Sequence, residues 1–137
     1  MNREFISYEQ ALALKELGFD EPCFKGYTEE YKTLINFSNT HTNTSVKNAL
    51  PTKSFTAPLY QQAFRFFLEK YKLHGYVDED NVYRIYGGVW DVNNYKGCRY
   101  DYDSDPYINH EEAEFCCIEK LIEIVRQELN YEKSKMY

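Results

Sequence analysis

The chain has 137 residues, a formal net charge of −6, and 43 % apolar against 28 % charged residues, a balance that suits one globular domain able to bury its own core. The acid excess argues against a nucleic-acid binder, which carries a basic stripe. No stretch approaches the roughly 18 apolar residues of a membrane span, and residues 1–5 lack the apolar run of a signal peptide.

The first expected element is a helix over residues 8–17, built from Ala, Leu, Glu and Lys. Ser7 stands at its N-cap with Gln10 as capping-box partner, and Gly18 follows at the position that favours a left-handed residue. A hairpin comes next, with strands over 23–27 and 31–37; Tyr31, Thr33, Ile35 and Phe37 alternate in the second. Residues 38–54 are polar and rich in Asn and Thr, and are expected to form a long mobile loop.

Thr56-Ala57-Pro58 is expected to open a second helix that runs to Leu73 and ends at Gly75. Its apolar residues, from Leu59 to Leu73, cover an arc of roughly 220° with Lys70 inside it. So wide an arc is either sandwiched between elements or shared with a partner. Two or more strands follow in 76–92, the clearest over 82–86, and Gly87-Gly88 reads as a turn. Residues 93–107 are turn-rich, with a short strand near 98–102. The last helix opens at Asn109, with Glu111 and Glu112 at the positive end of its dipole, and the tail 131–137 is expected to fray.

The sum is an α+β fold of one domain over 1–137, an antiparallel sheet of about four strands with three helices in the order α-β-β-α-β-β-α. The four cysteines, Cys23, Cys98, Cys116 and Cys117, form no C-x-x-C pair and have no histidine at ligand spacing. They read as reduced thiols, with Cys117 on the apolar face of the last helix.

Fourteen tyrosines, nine phenylalanines and one tryptophan are the strongest compositional signal. A ring with one polar handle suits half-buried surfaces that bind. Tyr83, Arg84, Tyr86, Trp90, Tyr95 and Arg99, with Tyr100 and Tyr102, interleave rings with guanidinium groups. Such a set could stack a nucleobase and clamp a phosphate, recognise a protein, or simply pack across strands. No serine, cysteine or carboxylate stands beside His41, His74 or His110 in a catalytic pattern, so the residues point away from an enzyme.

One stretch is similar to a metal loop. In D-Y-D-S-D-P-Y-I-N-H-E-E, residues 101–112, Asp101, Asp103, Asp105 and Glu112 fall where an EF-hand calcium loop places its oxygen ligands. Pro106 occupies the position where that loop turns on glycine, and proline cannot adopt a positive φ. The competing expectation is a solvated acidic segment before a helix.

Three blocks carry a family resemblance. They are YEQALALKELGFDEPC at 8–23, Ala57-Pro58 with Gln62-Ala63-Phe64-Arg65, and Glu111-Glu112-Ala113-Glu114 with Lys120-Leu121-Ile122-Glu123. They resemble small proteins carried by phages and prophages of gut Bacteroidota. The likeness covers the three helices, less than half of the chain, and supplies no activity or site residues to carry over. It implies a phage accessory protein in the bacterial cytoplasm, of a kind that blocks host defence by binding a host protein or sequestering a nucleotide signal.

The expected function is therefore a non-catalytic interaction protein with a host or phage protein as partner, and a homo-oligomer through the second helix or an edge strand as a further expectation. The alternative is a binder of a nucleotide-like small molecule in the aromatic and arginine cluster. No cofactor is expected, calcium being the alternative.

Overall fold

The computed structural model describes residues 4–50, 52–79, 85–91, 102–103 and 110–135. The fold is α+β. The elements in chain order are α1 (Tyr8–Glu16), β1 (Cys23–Thr28), β2 (Leu34–His41), α2 (Asn43–Ala49), β3 (Ser54–Thr56), α3 (Tyr60–Tyr71), β4 (Leu73–Glu79), β5 (Ile85–Asp91), β6 (Tyr102–Asp103) and α4 (His110–Lys135). They gather into two compact units, Met1–Ala63 and Phe64–Tyr137, where the sequence leads to the expectation of one domain. Two antiparallel three-stranded sheets, in the orders β2-β1-β3 and β4-β5-β6, replace the single expected sheet of about four strands.

In the first unit, α1 forms as its caps dictate. The Gln10 N–H donates to Ser7 Oγ at 3.3 Å and the Ser7 N–H to Gln10 Oε1 at 3.4 Å. At the other end Gly18 adopts φ 96°. The Phe19 N–H then reaches the Leu14 carbonyl at 2.9 Å, and the Gly18 N–H the Lys15 carbonyl at 3.1 Å, a Schellman closure. Ile6, Leu14, Phe19, Val46 and Phe55 are fully buried and make the core. Tyr8, Tyr27 and Phe55 pack ring against ring, with centroids 5.1–6.2 Å apart.

The polar segment 38–54 is not a long loop. It completes β2, forms α2 and starts β3. Thr42 caps α2, its hydroxyl accepting from the Ser45 N–H at 3.1 Å while Ser45 Oγ accepts from the Thr42 N–H at 2.9 Å. Thr56-Ala57-Pro58 does not open a helix either, since Thr56 belongs to β3 and α3 begins at Tyr60. The chain is held there by the backbone: the Ala57 N–H donates to Lys25 O at 2.8 Å and the Ile6 N–H to Pro58 O at 3.1 Å.

In the second unit, α3 stops at Tyr71, and Lys72 takes the left-handed position with φ 58°. Its N–H closes on the Leu68 carbonyl at 3.1 Å. Gly75 does not end the helix but lies inside β4. A Cβ there would stand 2.7 Å from Leu121 Cδ1 and 2.9 Å from Phe64 Cδ1, so packing, not capping, requires glycine. Gly87 and Gly88 are likewise no turn: they sit in β5 opposite Val77 and Tyr76. Lys70, inside the apolar arc of α3, lies 5.6 Å and 5.5 Å from the ring centres of Phe66 and Tyr71, a cation–π placement that explains a charge on that face.

The last helix packs on β4 and β5 with Ala113, Cys117, Ile118, Leu121, Ile124 and Val125 buried. Its expected cap, Asn109, lies outside the described residues. The tail expected to fray is helical to Lys135; Glu and Lys are good helix formers, and the Ser134 hydroxyl donates back to the Tyr131 carbonyl at 2.8 Å.

Candidate functional site

Of the six residues expected to bind, Tyr83, Arg84, Tyr95 and Arg99 lie outside the described residues. Tyr86 and Trp90 stand on β5, opposite Asp78 and His74 in the register. Of the calcium set, Asp101 and Asp105 also lie outside; Asp103 is in β6 opposite Gly88, and Glu112 is exposed in the first turn of α4. Among the described residues no group of three or more His, Cys, Asp or Glu side chains comes together to hold a metal ion.

The histidines are placed structurally. His41 Nδ1 is 3.2 Å from Ser45 Oγ, but that hydroxyl already serves the α2 capping box. His110 Nε2 is 3.7 Å from a Glu114 carboxylate oxygen, one turn on in α4. Burial pushes the Glu114 carboxyl above its ordinary range, partly offset by His110. The Cys23 thiol is buried and pushed up to about 12 by that burial, which leaves it protonated and unreactive at neutral pH.

The first sheet has two edges, and they are treated differently. At β3 the edge is covered. The Thr56 N–H, which turns away from β1, donates to Asn43 Oδ1 at 2.8 Å, and Asn43 Nδ2 donates to the Phe19 carbonyl at 2.8 Å. Asn43 is buried and thus pins α2 to both β3 and the α1–β1 connection. Asp20 adds a second clamp: it accepts from the Thr44 N–H at 2.7 Å and from the Thr44 hydroxyl at 2.7 Å. The first turn of α2 has no acid of its own, so Asp20 supplies from outside the charge that a helix N-terminus favours. The same hydrogen bonds hold the Asp20 carboxyl below its ordinary range.

At β2 the edge is open. Among the described residues β2 pairs with β1 alone. The Thr28 N–H donates to the Thr33 carbonyl at 3.1 Å, and Gly26, Lys25 and Tyr27 pair with Ile35, Asn36 and Leu34. Antiparallel alternation therefore turns the N–H and C=O of Leu34 and Asn36 outward. The strand LINFSNTH carries no Lys, Arg, Asp, Glu or Pro, the residues that commonly guard such an edge. Its one guard is an irregularity: β1 takes two steps from Cys23 to Lys25 while β2 takes five from His41 to Asn36. This limits the regular outer stretch to residues 34–36 and re-aims Phe37 over Gly26 and beside His41, its ring centre 5.2 Å from the imidazole.

Two rings, one on β1 and one in the turn before β2, are exposed. Tyr31, in the turn that leads into β2, is 75 % exposed, and Phe24 on β1 is 65 % exposed. Neither belonged to the expected site. Their signal in the sequence is position, an aromatic residue in a turn and one out of phase with the buried residues of its strand. Comparison of the chain with protein-family models, curated proteins and solved structures returned no match.

Proposed function

We propose that this protein is a non-catalytic interaction protein that docks an extended segment of a partner protein along β2. The observation that carries this is the uncharged outer edge of β2, preceded by the exposed ring of Tyr31, with the exposed ring of Phe24 on the neighbouring strand β1. Outward backbone groups at Leu34 and Asn36 offer main-chain hydrogen bonds to an added strand, and alternate side chains give such a contact its specificity. The regular stretch is short, so the aromatic side chains supply much of the binding surface.

The setting we propose is a phage accessory protein in the bacterial cytoplasm, with a host or phage protein as partner. The three helical blocks that resemble phage and prophage proteins support it. No described helix is long and apolar enough to cross a membrane. The test is affinity capture from a Bacteroidota host with three baits: the natural chain, Asn36→Pro with Tyr31→Ala, and Arg126→Ala as a surface control. A partner held by the first and third baits and lost by the second supports docking at β2. A partner held equally by all three refutes it.

A further inference from the structure

The residues around α1, α2 and the start of β3 carry a charge pattern that the β2 edge does not use. An open cleft of about 320 Å³ lies among α1, α2 and the start of β3, lined by Lys15, Glu29, Lys47, Leu50, Thr52, Lys53 and Ser54. Three ammonium groups therefore face one carboxylate, in a chain whose net charge is −6. Lys15 and Lys47 are the basic residues in the last turns of α1 and α2. Part of their charge answers the carbonyl ends of those helices, each equivalent to about half a negative charge. Against the three cations stand Glu29, these two ends and, on the Lys47 side, Asp20, so the excess of positive charge lies toward Lys53.

Lys15 is held in place without a strong partner. Its Nζ lies 5.7 Å from the centre of the buried Phe55 ring and 3.8 Å from Glu29 Oε1, in a half-exposed pair. A pair of that length and exposure contributes little, so an incoming anion can compete for the ammonium. The Glu29 N–H donates to the Lys53 carbonyl at 3.0 Å, which fixes the backbone from which Lys53 extends.

A second cleft of about 290 Å³ adjoins the first and shares Lys15 and Lys47 with it, but it is also lined by Asp20. That carboxylate is negative at neutral pH, and two hydrogen bonds from Thr44, with the Lys47 charge nearby, hold its pKa further down. Asp20 is thus an electrostatic boundary. An extended polyanion that ran from the first cleft into the second would meet it, whereas a compact anion beside Lys53 would not.

We propose that the cleft of Lys15, Lys47 and Lys53 binds a compact phosphate-type dianion, either free phosphate or the phosphate group of a small phosphorylated molecule. None of the cleft's lining residues belongs to β2, and the site stands or falls independently of partner docking there. The experiment is an amide NMR titration of the full chain with inorganic phosphate at constant ionic strength, with chloride as reference. The expected result is saturable movement of the Leu50, Thr52, Lys53 and Ser54 amides at about 1–20 mM phosphate. Lys47→Glu and Lys53→Glu, both at exposed positions, should each weaken it roughly tenfold or more. Lys133→Glu, an equal change of net charge on α4, should leave it unchanged. A small phosphomonoester that binds tighter than phosphate identifies the phosphorylated molecule as the source; equal binding identifies the free anion. Movement that does not saturate, that chloride reproduces, or that Lys133→Glu weakens as much as Lys47→Glu overturns the proposal. So does a response to a polyglutamate peptide without one to phosphate.

Discussion

The two edges of the first sheet belong to the same three strands and solve the same problem in opposite ways. β3 contributes only three residues, yet its outward N–H at Thr56 is closed by Asn43 and its cover, α2, is clamped by Asp20. β2 contributes eight residues, yet nothing described pairs with its outer side. An unpaired backbone group is tolerated in water and costly once buried. The covered edge is therefore where stability is concentrated, and the open edge is where a partner can be accommodated at little cost to the fold.

The largest effect is expected at the covered edge. Asn43→Ala leaves the buried Thr56 N–H without its Asn43 acceptor and removes the hydrogen bond from Asn43 to the Phe19 carbonyl, a loss of roughly 2–4 kcal/mol, read as a lower urea midpoint. A loss under about 1 kcal/mol would mean that water replaces Asn43 and that the edge is less sealed than its geometry indicates. In the strand between the edges, Gly26→Ala should cost about 1–3 kcal/mol. The new Cβ would meet the Phe37 ring and lie 2.6 Å from the Phe55 carbonyl oxygen, a backbone atom that cannot rotate aside.

The next contrast depends on pH. Because Asp20 is held below its ordinary 3.8 by Thr44, the folded chain binds its proton less readily than the unfolded chain. Its contribution is fully present above the unfolded value and fades as pH falls through the lower folded value. The natural chain should therefore exceed Asp20→Asn in urea midpoint at neutral pH, and the gap should narrow as pH falls below the ordinary carboxylate range. A constant gap would assign the effect to the hydrogen bonds alone. The smallest effect is expected at β2: Asn36→Pro removes only an outward N–H, so stability should change by no more than about 1 kcal/mol while partner docking is lost. A change as large as that of Asn43→Ala would show that the β2 edge is covered too.

The candidate site was partly legible in the sequence. The alternation of Ile35 and Phe37 marked the strand, but not that it would lie at an edge, because strand order depends on pairing across the sheet. Lys15 falls near the end of the first expected helix and Lys47 and Lys53 in the expected 38–54 loop, and their meeting could not be foreseen from three positions so far apart in the chain. The expected aromatic and arginine cluster rests on the interleaving of rings and guanidinium groups along the chain, and such a pattern carries no placement in space.

What the sequence determined by itself was local. Ser7 and Gln10 cap α1 over a separation of three residues, Gly18 closes it, and the apolar period of α4 holds from Ala113 to Val125. In each case the groups that must be satisfied lie within a turn or two of the groups that satisfy them. What only the tertiary structure decided was α2, β3 and the glycines of the second sheet. The run NTSVKNA is a poor helix former, and seven residues are too few for a helix to hold alone. It folds because Asp20 and Phe19, each 24 positions away from the residue it bonds, and Thr56, 13 away, supply its partners. Gly75 looked like a helix stop because glycine is permissive. The ring of Phe64 and the side chain of Leu121, which no local pattern brings to that point, make it a place where only glycine fits.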